Sequence, residues 1–138
     1  MRRIQNLIIR DPKKLILYDV IYKEARSRGK ISIRLCSLSS KHFRWYHDKS
    51  ELQSGIFMGS LPLVNITKCV PSFTKRQNKF AFSVNSTLMI DRNLNEVLNQ
   101  TLDFCCDDIE TQDKWVISIE FLRTRAVYEE YASKNIPV

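Results

Sequence analysis

Residues 107–135 read DDIETQDKWVISIEFLRTRAVYEEYASKN, with neither Gly nor Pro. The apolar positions Trp115, Ile119, Leu122 and Ala126 advance by four, three and four. That is the spacing of one face of an α-helix. Asp107 followed by Glu110 makes a capping-box-like start, with Asp in place of Ser or Thr. Acidic residues crowd the first turns, and Arg123, Arg125 and Lys134 lie toward the end, which suits the helix dipole. A helix of about 20 residues spans roughly 30 Å and needs a surface to pack on. Trp115, the largest apolar side chain on the stripe, is expected in the core.

Working outward, the preceding segments read as strands. TLDFCCDD, residues 101–108, puts Leu102 and Phe104 on one face, and KFAFSVNS, residues 79–86, alternates Phe80, Phe82 and Val84. Between them TLMIDRNLNEVLNQ, residues 87–100, places Leu94, Val97 and Leu98 at a spacing that suits one or two helical turns. Further back, LILYDVIYKE (15–24), ISIRLCSL (31–38), HFRWYHDK (42–49), IFMGSLPLVNI (56–66) and TKCV (67–70) read as strands rich in β-favouring residues. The first of these also permits a helical reading, because no turn residue interrupts it before Gly29. ARSRGK (25–30) is a turn loaded with cations, SELQSG (50–55) a loop, and PSFTKRQNK (71–79) a polar basic loop. Pro62 marks an edge or a bend. In 31–38 the parity stays open: either Ile31, Ile33 and Leu35 face the core, or Cys36 and Leu38 do, with Arg34 on their side. Seven short strands followed by one helix predict a mainly β fold, an antiparallel barrel or sandwich capped by a C-terminal helix.

The 138 residues suit one domain, with 43% hydrophobic and 27% charged side chains. No run of 18 apolar residues occurs, so no helix is expected to span a membrane. The opening MRRIQNLIIRDPKK lacks the long apolar core of a secretory signal, and Arg2 excludes a myristoylation signal at this start. Residues 1–14 read as a basic arm in which Ile4, Leu7, Ile8 and Ile9 allow a short amphipathic helix ended by Pro12. The domain proper is expected at 15–135. Cys36, Cys69, Cys105 and Cys106, taken with His42 and His47, fit no zinc-ligand spacing and read as buried free thiols. Asn65, Asn85 and Asn99 begin N-x-S/T triplets that read as chance.

Net charge is +7, unevenly placed: residues 1–49 carry 13 Lys and Arg against 4 Asp and Glu, and the remainder is net −2. A basic N-terminal third points to a polyanionic partner, either membrane headgroups or nucleic acid, for which Phe43, Trp45 and Tyr46 offer stacking surfaces. Catalysis finds no support, since GxSxG, HExxH and a phosphate-cradling Gly loop are all missing and only three glycines occur. Neither an enzyme nor a cofactor is expected.

The order of segments, with FRWY, GSLPLVNIT, FAFSV and TLDFCCDDIETQDKW at its joints, resembles the pleckstrin homology domain over about residues 15–130. That resemblance implies seven strands in two near-orthogonal sheets plugged by a C-terminal helix, with Trp115 matching the family's signature tryptophan. It implies a non-enzymatic, peripheral module at the cytosolic face of a membrane. The expected ligands are anionic phospholipid headgroups, a phosphoinositide or phosphatidic acid, bound at the open end. Carried over, the headgroup residues are Lys23, Arg26, Arg28, Lys30, Arg34 and Lys49. Ser32 stands where the family's second strand carries a cation, so half of its cationic pattern is present and tight binding of polyphosphorylated inositides is not expected. A narrower likeness, in Asn, Ile and Lys usage and the N-terminal extension, is to acylated pleckstrin homology proteins of apicomplexan parasites, whose lipid is phosphatidic acid. A lipid-free protein scaffold of the same fold, binding peptides beside the helix, is the competing expectation.

Overall fold

A computed structural model describes residues 5–6, 15–25, 30–72 and 78–134. The elements are β1 (Gln5–Asn6), β2 (Leu15–Ala25), β3 (Lys30–Ser39), β4 (His42–Tyr46), α1 (Lys49–Ser54), β5 (Gly59–Pro62), β6 (Ile66–Pro71), β7 (Phe80–Asp91), β8 (Glu96–Cys106) and α2 (Ile109–Lys134). Every strand pairing is antiparallel. Strands β2, β3, β4, β5, β7 and β8 close a ring, because β8 pairs with both β7 and β2. Strand β6 extends the sheet beyond β7, and β1 extends it beyond β2. The result is the mainly β barrel with one long C-terminal helix that the strand pattern predicts.

The parity of β3 is resolved by burial. Cys36 and Leu38 are fully buried, whereas Ile33 is 61% exposed. The even-numbered side of β3 therefore faces the barrel interior, and Arg34 lies on it. Inside, Phe43, Trp45, Phe82 and Phe104 form an aromatic cluster with ring centroids 5.1–6.1 Å apart. Trp115 enters this cluster from α2, with its ring 5.8 Å from Phe43. Trp115, Ile119, Leu122 and Ala126 are all buried, as the helical spacing requires. All four cysteines are buried and free, and burial pushes the thiols of Cys36, Cys69 and Cys106 well up from their ordinary range.

Five local expectations are corrected. The helix cap is Asp108, whose Oδ1 accepts from the N–H of Thr111 at 2.7 Å. Asp107 instead accepts from Lys79 Nζ at 2.9 Å and Tyr22 OH at 3.3 Å. The stretch expected as the loop SELQSG is the helix α1. Asp48 caps its start and Gly55 ends it at φ 74°, a left-handed conformation glycine adopts readily. The strand expected at 56–66 is shorter, because β5 stops at Pro62 and Leu63–Asn65 form a 3-10 turn. The helical turns expected around Leu94 are the tip of a long hairpin. There Asp91 Oδ1 accepts from the N–H groups of Asn93 and Asn95, both at 2.9 Å, and Leu94 takes φ 65°. That side-chain bonding satisfies the turn and carries β7 and β8 past the helix-like spacing. In the arm, Gln5–Asn6 pair with Leu17 and Tyr18 as strand; the rest of the expected amphipathic helix lies outside the described residues.

Candidate functional site

Alternating strand direction brings the end of β2 at Ala25, the start of β3 at Lys30 and the connections at 47–58 and 92–95 to one end of the barrel, away from the end that α2 enters. The two connections are tied together. Arg92 on the hairpin tip grips Glu51 of α1 with both nitrogens, Nη2 to Oε2 at 2.6 Å and Nη1 to Oε1 at 3.3 Å. Glu51 also accepts from the N–H of His47 at 2.9 Å. The bond from Arg92, then that from the His47 N–H, holds its carboxyl down at about 2.

At this end the inner wall changes character. Register sets Lys23 opposite Ser32, Ile21 opposite Arg34 and Ala25 opposite Lys30. Because the even side of β3 faces inward, Lys30, Ser32 and Arg34 follow Cys36 up the inner wall. Lys23 follows the buried Ile21 on β2. Lys23 lies with its Nζ 5.7 Å from the centroid of Trp45, a cation–π contact on the floor of the mouth. The charges of Lys23 and Arg34 both act on the buried Cys36 thiol, pulling against the effect of its burial. Arg34 Nη1 donates to the carbonyl of Ile33 at 2.8 Å. Lys30 is exposed at the start of β3, and Lys49 is exposed at the start of α1. Three of the six expected cations thus share one face of the β2–β3 hairpin, while Lys49 sits on a different connection. Arg26 and Arg28 lie outside the described residues.

Gly59 fixes Trp45 in this floor. It pairs with Trp45 across β4 and β5, and a Cβ there would fall 2.0 Å from the indole. Around the mouth, Ile56 is 50% exposed and Leu94, at the hairpin tip, is 72% exposed. Tyr46 is buried and accepts from Ser37 Oγ at 3.5 Å, so its role is structural. Phe43, Trp45 and Tyr46 are all buried, which removes the stacking surface a nucleic acid would need from them. Outside the ring, Lys79 lies 4.3 Å from the Tyr22 ring centroid and is paired with Asp107. Sequence reasoning missed Trp45 as floor, the Glu51–Arg92 tie and the exposed tip. Only Leu94, flanked by two asparagines in a turn-like context, left a trace in the sequence.

The groove between β6 and α2 is closed by side chains. Glu120 Oε2 accepts from the N–H of Cys69 at 2.7 Å, and Arg123 Nη1 donates to the carbonyl of Ile66 at 3.5 Å. The helix thereby occupies hydrogen-bonding positions on this strand that an added peptide strand would use.

The described residues thus build a small antiparallel barrel, plugged at one end by a helix, with cations at the other. No protein-family model and no curated protein matches the sequence. Solved structures match its shape. A structure of the Slm1 PH domain, reported with its ligand in an atypical site, superposes with TM-score 0.58 at 13% identity, over 79% of this chain and 97% of that one. The Slm1 PH domain in complex with inositol 4-phosphate gives TM-score 0.59 at 14% identity, over 80% and 98%. The fold of this chain is the pleckstrin homology fold. No helix among the described residues is long and apolar enough to cross a membrane.

Proposed function

We propose that this chain is a peripheral membrane module at a cytosolic membrane face that binds one phosphorylated lipid headgroup, of phosphatidic acid or a phosphoinositide, in the cationic mouth of its barrel. The observation that carries the reading is the convergence of Lys23, Lys30 and Arg34 on one inner face, opposite the plugged end. Arg34 supplies a forked donor for phosphate oxygens, and the two lysines supply point charges. Arg26 and Arg28, in the connection between them, and Lys49 on α1 are assigned to the same rim. Three cations near an anionic leaflet contribute about 3 kcal/mol in all, so binding is moderate and salt-sensitive. Ile56 and Leu94 supply apolar contact beside the charges. The similarity to a PH domain crystallised with inositol 4-phosphate supports the ligand class. The peptide-scaffold reading is disfavoured by Glu120 and Arg123, which already bond the strand a peptide would join.

Vesicle co-sedimentation tests the proposal, with phosphatidylcholine alone or doped with phosphatidic acid or phosphatidylinositol 4-phosphate. The expected result is binding to doped vesicles only, lost in Lys30→Glu with Arg34→Glu, which leaves the Lys23–Trp45 contact in place, at an unchanged melting temperature. Lys79→Glu separates the inner face from the outer. Loss of binding in that variant, with the inner pair indifferent, would move the headgroup outside the ring. Indifference to all lipids would sink the reading in favour of the scaffold.

A further inference from the structure

Helix α2 is apolar on two opposite sides. One is the stripe buried against the barrel. Half a turn away, Ile117, Phe121, Thr124, Tyr128 and Tyr131 advance by four, three, four and three. Ile117 is 66%, Phe121 64%, Tyr128 69% and Tyr131 65% exposed. A sustained four–three repeat is the seam along which two helices pack. The surface at the middle of the seam is dented. A shallow hollow of about 580 Å³ is bordered by Glu120, Phe121, Thr124, Arg125 and Tyr128. Residues 121, 124, 125 and 128 stand at i, i+3, i+4 and i+7, the four corners that receive one side chain of a facing helix. The hollow therefore calls for a helix with apolar side chains at the same repeat, and α2 carries that repeat itself.

We propose that this stripe is an interface between two copies of the chain, with the α2 helices side by side and parallel, Thr124 meeting Thr124. The charges flanking the seam choose the occupant and the direction. In the parallel alignment Glu120 of each copy, at the position before Phe121, faces Arg125 of the second copy, so opposite charges meet on both sides. The reversed alignment would bring Arg125 toward Arg125. Glu120 keeps its bond to the N–H of Cys69, while its ion pair with Arg123 and that of Arg125 with Glu129, both at 3.4 Å, are exposed enough to be shared across the seam. Five side chains from each copy make an interface below the roughly 1,200 Å² of stable complexes, so self-association is weak and shows at high concentration. The pairing does not depend on the lipid reading, although two mouths on one particle would raise avidity for any membrane they share.

Sedimentation velocity on the full chain tests this between about 10 µM and about 1 mM. The mean mass is expected to climb from 16.3 kDa toward twice that value. Phe121→Asp should hold it at the monomer with an unchanged melting temperature, because the residue is exposed. Thr124→Cys and Ile117→Cys should each form an intermolecular disulfide under mild oxidation, the second only in the parallel alignment. A constant monomer mass with no cross-link overturns the interface. A dimer indifferent to Phe121→Asp places the contact elsewhere and overturns it too. Cross-linking through position 124 but not 117 overturns the alignment. If Phe121→Asp instead abolishes binding to neutral phosphatidylcholine vesicles, lipid and not a second copy covers the stripe.

Discussion

At the end of the barrel that α2 enters, the inner wall is Phe43, Phe82, Phe104 and Trp115, all fully buried. At the other end β2 and β3 turn from the buried Ile21 and Cys36 to Lys23 two residues on, and to Arg34, Ser32 and Lys30 two, four and six residues back. One hairpin thus passes from core to cationic lip without changing its secondary structure. Stability resides at the plugged end, where aromatic area is withdrawn from water. At the open end Lys30 is exposed and Lys23 and Arg34 are partly exposed, which limits the cost of burying their charge. Substitutions should separate the two: the plugged end sets melting, and the open end sets binding.

The sharpest way to break this contrast is at the plug. Trp115→Ala should cost about 3–5 kcal/mol, as for other large core aromatics, read by urea unfolding; a loss under about 1 kcal/mol would mean the plug does not hold the barrel. A smaller effect is expected at the neighbouring strand edge. Glu120→Ala leaves the N–H of the buried Cys69 without its acceptor, which should cost about 1–3 kcal/mol. It should also raise concentration-dependent aggregation, seen by light scattering, because an edge is opened. The smallest effect is the acid response of His42, at the start of β4. Burial first, then Arg44 and Lys41, lower its pKa from 6.5 to about 4. Above about 6.5 His42 is neutral in both folded and unfolded chains. As pH falls from 6.5 to about 4, the unfolded chain binds the proton first, so stability declines through that window. With the ring half open to solvent, the decline is about 1 kcal/mol, and His42→Gln should flatten it.

Much of this is legible in the sequence. The α2 core stripe follows from a four–three–four spacing, and the strands from alternation at 79–86 and 31–38. The second α2 stripe obeys the same rule. Periodicity alone does not say which of two opposite apolar faces meets the barrel, and Trp115 drew the reading to one of them. The hairpin at 80–106 was hidden because Leu94, Val97 and Leu98 imitate a helical face, while the determinant is one Asp91 carboxylate bonding two backbone N–H groups. Two adjacent aspartates left the cap ambiguous, and only tertiary partners on Lys79 and Tyr22 assign Asp107 elsewhere. For the site, the cationic residue types were visible, but their common face depended on a parity that a one-residue slip would have inverted.

The chain holds two indoles, and they stand in different electrical surroundings. Trp115 is sealed among rings. Trp45, pinned over Gly59, has an ammonium 5.7 Å from its centre. An anion that draws Lys23 aside changes the field on one chromophore and not on the other. Intrinsic fluorescence, with Trp115 as a constant background, is therefore a built-in optical readout of whatever enters the mouth.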